Sequence, residues 1–165
     1  MISRPFNLLP ILVLLTISLA CKREESKPAL VDPHYRVAPS PVGSTLNILD
    51  KTFNLKKSAT FPFEIPAHAV RPHLQGKFES FVHGEAASED AANVDFMILN
   101  ESQHADLEAN HPTESVFSAG ATHSQEINID LPAAFAEPAK YYLVFQSADG
   151  GKTAKVVKAN FHVDF

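Results

Sequence analysis

The stretch "KVVKANFHVDF", residues 155–165, decides the fold class of this chain. Apolar side chains recur at positions 157, 159, 161, 163 and 165, and polar ones stand between them: Lys158, Asn160, His162 and Asp164. Successive side chains of a β-strand point to opposite faces, so this alternation predicts a strand with one face in a core and the other in water. Antiparallel sheets that are packed on one side show this pattern.

The same two-residue period recurs upstream, in "TFPFEI" (60–65), "LQGKFESFV" (74–82) and "EINIDLP" (126–132). Two further segments, "VDFMIL" (94–99) and "YYLVF" (141–145), are apolar on both faces, which is typical of central strands covered on both sides. About eight short strands of this kind predict an all-β domain over residues 43–165. The predicted architecture is an antiparallel β-sandwich of jelly-roll type.

Turns and one helix complete the predicted domain. Asp149, Gly150 and Gly151 follow the "YYLVF" strand and favour a tight reversal, which predicts a terminal hairpin over 141–165. "SAGATHS", residues 118–124, is interpreted as a turn between strands, because Gly120 has small neighbours. A short helix is predicted at roughly 100–110, ended by Pro112.

The amino-terminal segment has the composition of a secretory signal. The run "LLPILVLLTISLA", residues 8–20, contains 13 residues and follows Arg4. A helix that crosses a bilayer needs roughly 20 apolar residues, so residues 1–20 are predicted to be a signal peptide rather than a transmembrane anchor. Residues 21–42 then carry four prolines without a sustained period, which predicts an extended tether.

The lone cysteine of the chain, Cys21, directly follows Ala20. The sequence Ser18-Leu19-Ala20-Cys21 resembles the lipobox of bacterial lipoproteins, although leucine is commoner at the position of Ser18. The resemblance implies cleavage before Cys21 and attachment of lipid, palmitate included, to this residue. The alternative is an ordinary signal peptide followed by an incidental thiol. Lys22 rather than aspartate follows, which favours the outer membrane over the inner one in a Gram-negative cell.

The charge balance argues against nucleic acid as a partner. Removal of residues 1–20 takes away Arg4, which leaves 13 basic against 19 acidic residues and a net charge of −6. Nucleic-acid binding depends on lysine and arginine that neutralise phosphates, and no basic patch is evident in the sequence. Because Cys21 has no second cysteine to pair with, the domain is expected to rely on packing rather than on disulfides.

His104, Glu108 and His111 form the strongest candidate metal site. Their spacings of four and three residues would bring them to one side of a helix. Two imidazoles and one carboxylate could hold zinc and leave one position open. The interpretation we favour is a solvated segment on the rim of the sandwich, because Pro112 disfavours helical torsions at His111. No cofactor is therefore expected.

No catalytic residue is predicted. The sequence lacks a Gly-x-Ser-x-Gly motif, and its one cysteine belongs to the lipobox-like segment. The chain is therefore not expected to be an enzyme, and a hydrolase of unrecognised type is the least favoured function.

The order of the segments "NVDFMILNE", "ESVFSAGATHSQEINIDLP" and "AKYYLVFQSADGGKTAKVVKANFHVDF" resembles that of GOLD-like β-sandwich domains, which are related to the emp24 group. It is also similar to that of bacterial pre-peptidase C-terminal domains, over roughly residues 45–165. The resemblance implies a non-catalytic binding module. The expected function is that of an exported, lipid-anchored interaction module of the bacterial cell envelope with a protein partner. The alternative is a periplasmic protein that binds metal or a small ligand through surface histidines.

Overall fold

A computed structural model describes residues 42–82 and 89–165 of the chain. Within these ranges the strands are β1 (Thr45–Leu55), β2 (Ser58–Ile65), β3 (His73–Val82), β4 (Val94–Asn100), β5 (Phe117–Thr122), β6 (Ser124–Asp130), β7 (Ala139–Ser147) and β8 (Lys155–Asp164). One α-helix, α1, spans Glu101–Glu108, and one 3-10 turn spans Glu89–Ala92. Neither helical segment is long and apolar enough to cross a membrane. The predicted signal peptide, Cys21 and the tether up to residue 41 lie outside the described residues.

The eight described strands form two four-stranded antiparallel sheets, which confirms the predicted all-β sandwich. The first sheet has the order β1-β8-β3-β6, and the second has the order β2-β7-β4-β5. Of the consecutive strands, only β4 and β5 pair with each other; every other connection passes from one sheet to the other. The connecting loops therefore cross the two ends of the sandwich.

The predicted terminal hairpin over 141–165 is wrong. β7 pairs with β2 and β4 in the second sheet, whereas β8 pairs with β1 and β3 in the first. The predicted positive torsions are present, since Gly150 has φ 70° and Gly151 has φ 88°. Residues 148–154 nevertheless connect strands in opposite sheets, and facing sheets lie about 10 Å apart. Because the strands lie in opposite sheets, their apolar sides face each other across the core, where the Phe145 and Phe161 ring centroids lie 6.3 Å apart.

The core is built around four phenylalanine rings, two from each sheet. Phe78 and Phe161 belong to the first sheet, Phe96 and Phe145 belong to the second, and all four are fully buried. Ring centroids lie 4.9 Å apart for Phe96 and Phe145, 5.3 Å for Phe96 and Phe161, and 5.6 Å for Phe78 and Phe145. Aromatic pairs at such distances add about 0.5–1.5 kcal/mol each beyond the burial of their area. We call these residues the phenylalanine cluster.

The central position predicted for the segments 94–99 and 141–145 is confirmed. β7 lies between β2 and β4, and β4 lies between β7 and β5. Leu99 and Val144 are buried although they stand outside the inner core. Helix α1 packs against β4 and β7 on this side, and the His104 ring stacks on Tyr142 with centroids 3.9 Å apart. The second sheet is thus covered on its outer face near α1.

Helix α1 begins and ends through asparagines. The Asn100 side chain accepts a hydrogen bond from the Gln103 backbone, and the Gln103 side chain accepts one from the Asn100 backbone, which forms a capping box. Asn110 has φ 57°, in the left-handed region that ends helices. The helix predicted at roughly 100–110 is confirmed. It ends at Glu108, four residues before Pro112, so the left-handed Asn110 rather than the proline accounts for its end.

The turn predicted over 118–124 is also corrected. Phe117–Thr122 forms the edge strand β5, and the change of sheet takes place at His123 alone, before β6 begins at Ser124. The His123 carbonyl accepts a hydrogen bond of 2.7 Å from the Ser80 backbone. Small residues suit an edge strand because its outer side needs no large apolar groups.

Gly76 of β3 is required by the packing of Phe161. A Cβ atom at residue 76 would lie 2.4 Å from the Asn160 carbonyl oxygen and 2.4 Å from Cδ1 of Phe161. The Asn160 carbonyl oxygen belongs to the backbone of the neighbouring strand β8, so it cannot rotate away as a side chain could. By contrast, a Cβ atom at Gly120 meets nothing within 4 Å.

We expect Gly76→Ala to lower the free energy of unfolding by about 1–3 kcal/mol, the usual cost of overpacking a core. Gly120→Ala is the matched control and should change it by no more than about 0.5 kcal/mol, as exposed substitutions do. Urea unfolding of the two purified variants, followed by circular dichroism, measures the difference. Equal stabilities would contradict the packing described for Phe161.

Candidate functional site

The outer face of the first sheet is polar along most of its length. Every inward residue of β3, β6 and β8 is followed by an outward one, as the two-residue period of a strand requires. The outward residues of these three strands include Gln75, Lys77, Glu79, Glu126, Asn128, Asp130, Lys158, Asn160, His162 and Asp164. His162 was predicted on the wet side of the last strand and is half-buried there.

Two adjoining depressions form a groove on this face. The larger has a volume of about 180 Å³ and is lined by residues that include Gln75, Asn128 and His162. The smaller has a volume of about 120 Å³. Lys77 and Asn160 line both. We call the surface formed by these five residues the polar groove.

Hydrogen bonds orient the polar side chains in the row of residues next to the polar groove. His73 Nδ1 lies 2.7 Å from Asp130 Oδ1. The Asp130 hydrogen bond raises the pKa of His73, and partial burial opposes the rise. Asp164 accepts a hydrogen bond of 2.6 Å from the Thr45 hydroxyl and lies 3.8 Å from His162 Nε2. These contacts hold the side chains of this row in position.

The chemistry of the polar groove is that of hydrogen bonding. Its amides donate and accept, Lys77 supplies a positive charge, and Glu126 beside it supplies a negative one. A surface with both signs of charge and several amides matches polar segments that also carry both donors and acceptors. The arrangement can therefore hold a polar partner.

The structure brings two of the three predicted metal ligands close to each other and places the third beside a different acid. His104 Nδ1 lies 3.8 Å from Glu108 Oε2, and the His104 ring is committed to its stack on Tyr142. His111 lies instead beside Asp106, 3.8 Å away. Within residues 42–82 and 89–165, no group of three or more His, Cys, Asp or Glu side chains is placed to hold one metal ion. The metal site stays a prediction from the sequence.

A buried ionic network that the sequence analysis missed lies between β7 and β8. Lys155 is 1% exposed, and its Nζ lies 2.5 Å from the Ser147 hydroxyl and 3.0 Å from Asp149 Oδ1. Asp149 also accepts hydrogen bonds from the backbones of Gly151 and Thr153. The network joins the end of a strand in one sheet to the start of a strand in the other. The available signal was the position of Lys155, in phase with the apolar residues from 157 onward.

The hydrogen-bond directions in this network favour a structural role. The Ser147 hydroxyl donates to Asp149 Oδ1 at 2.6 Å, while Lys155 donates to the same hydroxyl. A lysine that donates to a serine oxygen cannot at the same time accept the serine proton, as nucleophilic catalysis would require. Two hydrogen bonds hold the pKa of Asp149 well below its usual value. The bond from Ser147 has the larger effect, and the bond from Lys155 has the next largest.

Comparisons with known proteins establish no family for this chain. No family model matches it, and no curated protein matches it. One similar solved structure is the pre-peptidase C-terminal domain of collagenase from Bacillus anthracis, with a TM-score of 0.37 and 14% sequence identity over 67% of this chain and 89% of that one. It belongs to one of the two domain classes that the sequence resembles. A TM-score below about 0.5 does not establish a shared fold, so the fold assignment rests on the strands and their pairing.

We expect Asp149→Asn to destabilise the sandwich at pH 7, because it leaves the buried Lys155 without its counter-charge. The pKa of Asp149 is lowered by folding, so its contribution to stability is complete above the usual value of 3.8 and is lost as the pH falls toward the lowered value. The difference in urea midpoint between wild type and Asp149→Asn should thus shrink below pH 3.8. Asp50→Asn, an exposed acid on β1, is the control. A difference that does not change with pH would contradict the ion pair.

Proposed function

We propose that this protein is an exported lipoprotein, held on a bacterial membrane by lipid on Cys21, whose sandwich is a non-catalytic binding module for a protein of the cell envelope. The polar groove is the proposed binding surface. In a Gram-negative cell the lipid anchor is placed in the outer membrane, because lysine rather than aspartate follows Cys21.

The sequence supports the anchor. An apolar run of 13 residues ends at Ala20, and the charged segment "CKREES" begins at Cys21. A single acyl chain gives only reversible attachment, and each buried methylene contributes about 0.8 kcal/mol, so lasting attachment needs the several chains that lipoproteins of this kind carry.

The preset geometry of the polar groove is the observation that supports binding. Thr45 positions Asp164, which in turn contacts Gln75 and His162 of the polar groove, so the side chains at this end lose little freedom when a partner docks. Lys77 and Asn160 stand where the two depressions meet. Their mixture of charge and amide suits a protein segment with polar side chains.

The proposal of a non-catalytic role rests on how the reactive groups are used. Ser147, the buried serine with a lysine beside it, donates a hydrogen bond to Asp149 and accepts one from Lys155. The Ser147 hydroxyl is thus engaged as both donor and acceptor within the buried network, which supports a structural rather than a nucleophilic role for it.

The anchor is tested by Cys21→Ser, with Ser26→Ala as a control close by in the sequence. We expect Cys21→Ser protein to leave the membrane fraction and to keep the strand-rich circular dichroism of the wild type, because all eight described strands are formed by residues between 45 and 164. Ser26→Ala protein should stay in the membrane fraction. Cys21→Ser protein that remained in the membrane would overturn the anchor.

The binding surface is tested by a photo-crosslinking amino acid at residue 160, in living cells. Asn160 is exposed in the polar groove, and Thr60 is exposed on β2 in the second sheet, so residue 60 is the matched control position. We expect a discrete protein adduct from residue 160 alone, and a marked loss of that adduct when Lys77→Glu is added, because the charge beside Asn160 is reversed. Equal adducts at both positions, or an adduct indifferent to Lys77→Glu, would refute the polar groove as the binding surface.

A further inference from the structure

Exposed apolar side chains are concentrated at one end of the sandwich. Among the described residues, the exposed large hydrophobic side chains are Phe135 (78%), Val42 (75%), Val70 (65%) and Phe81 (51%). The first three lie at the end where β3 begins and β6 stops, whereas Phe81 lies near the other end of β3. Exposed hydrophobic side chains scattered singly are ordinary, whereas several at one end of a domain make that end a candidate contact surface.

Two loops present Phe135 and Val70, and hydrogen bonds join the loops to each other. Residues 66–72 connect β2 to β3, and residues 131–138 connect β6 to β7. Ala69 and Ala134 form a β-bridge, with the Ala134 N–H donating to the Ala69 carbonyl at 2.9 Å. We call these two segments together the paired loops.

The paired loops hold Phe135 outward. The His68 N–H donates to the Phe135 carbonyl at 2.9 Å, and Ala69 and Ala134 are buried beneath. Each loop is bounded by prolines, which restrict the backbone: Pro66, Pro72, Pro132 and Pro138. An aromatic side chain on a restricted backbone binds without the cost of ordering a flexible loop.

The chain enters the sandwich at this same end. Thr45 pairs with Asp164, and both His73 and its partner Asp130 lie in the same row. Pro72 directly precedes this row and Leu131 directly follows it, so the paired loops extend from it. The Gly43 N–H donates to the Phe165 carbonyl at 2.5 Å, which places the exposed Val42 at this end too.

The paired loops are close to electrically neutral. Their charged residues are Arg71 and Glu137, one of each sign, and both are exposed. A neutral tip with exposed Phe135 and Val70 suits the boundary between lipid headgroups and acyl chains, and Arg71 has a side chain long enough to keep its charge among the headgroups.

We propose that the paired loops are a lipid-docking tip, with Phe135 and Val70 inserted into the phospholipid surface to which Cys21 is anchored. This inference rests on the proposed lipid anchor. Only 20 residues lie between Cys21 and Val42, a chain of at most roughly 70 Å. At the high effective concentration that such a link imposes, a small apolar contact is enough to keep the domain docked. Docking by this end leaves both sheet faces, and the polar groove, clear of the lipid.

The experiment uses a single tryptophan as a reporter, since the chain has none. Full-length lipidated protein carrying Phe135→Trp is reconstituted into phosphatidylcholine vesicles, with and without phosphatidylcholine brominated on its acyl chains, which quenches tryptophan at contact. Phe81→Trp at the other end of β3 is the matched control. Flotation of the vesicles shows separately whether each protein is anchored, and circular dichroism shows that each variant is folded.

We expect brominated lipid to remove most of the emission of Trp at residue 135 and to leave that at residue 81 unchanged. Val70→Asp, added to Phe135→Trp, should reduce the quenching while flotation persists. Protein that floats with residue 135 unquenched, as it would if the tip bound another protein instead, overturns the lipid-docking tip and leaves the anchor intact. Equal quenching at both residues also overturns it. Protein that fails to float refutes the anchor itself and, with it, the inference.

Discussion

The contact between four phenylalanine rings in the centre of the sandwich sets the arrangement of the rest. Phe78 and Phe161 meet Phe96 and Phe145 across the gap between the sheets. Each ring occupies an inward position of its strand, so the two-residue period assigns every neighbouring position to the outside. The fit is close enough that the strand beside Phe161 has room only for glycine at residue 76. The polar outer face of the first sheet is therefore a consequence of how the core is packed.

The connections between strands give the two ends of the sandwich different characters. All connections except that between β4 and β5 join strands in different sheets, so these loops cross an end of the sandwich rather than turn back within a sheet. At one end, the buried Lys155 joins the two sheets through Ser147 and Asp149. At the other, the Ala69–Ala134 bridge joins two loops and leaves Phe135 in solvent. An ionic network stabilises the first end, and backbone hydrogen bonds between proline-bounded loops stabilise the second.

The two proposed contact surfaces do not compete for the same residues. The polar groove runs over the outer face of the first sheet, whereas the paired loops stand at its end. A lipid-anchored domain that rests on its loops would present the groove sideways, toward proteins on the same membrane. This division gives each surface the chemistry it needs: hydrogen-bonding groups for a protein partner and apolar side chains for lipid.

The sequence by itself determined the local elements, because alternation and capping act between near neighbours. The alternation over 155–165 identified β8 and its inner face, and Asn100 with Gln103 accounts for the start of α1. The lipobox-like segment around Cys21 is likewise visible only in the sequence. Only the tertiary structure decided which strands pair: β7 and β8 follow a glycine turn yet lie in opposite sheets. It also decided that Lys155 is buried, that His111 lies beside Asp106, and that two distant loops join at Ala69 and Ala134. These outcomes depend on contacts between residues far apart in the chain. The free energies of such contacts cannot be read from the pattern of neighbouring residues.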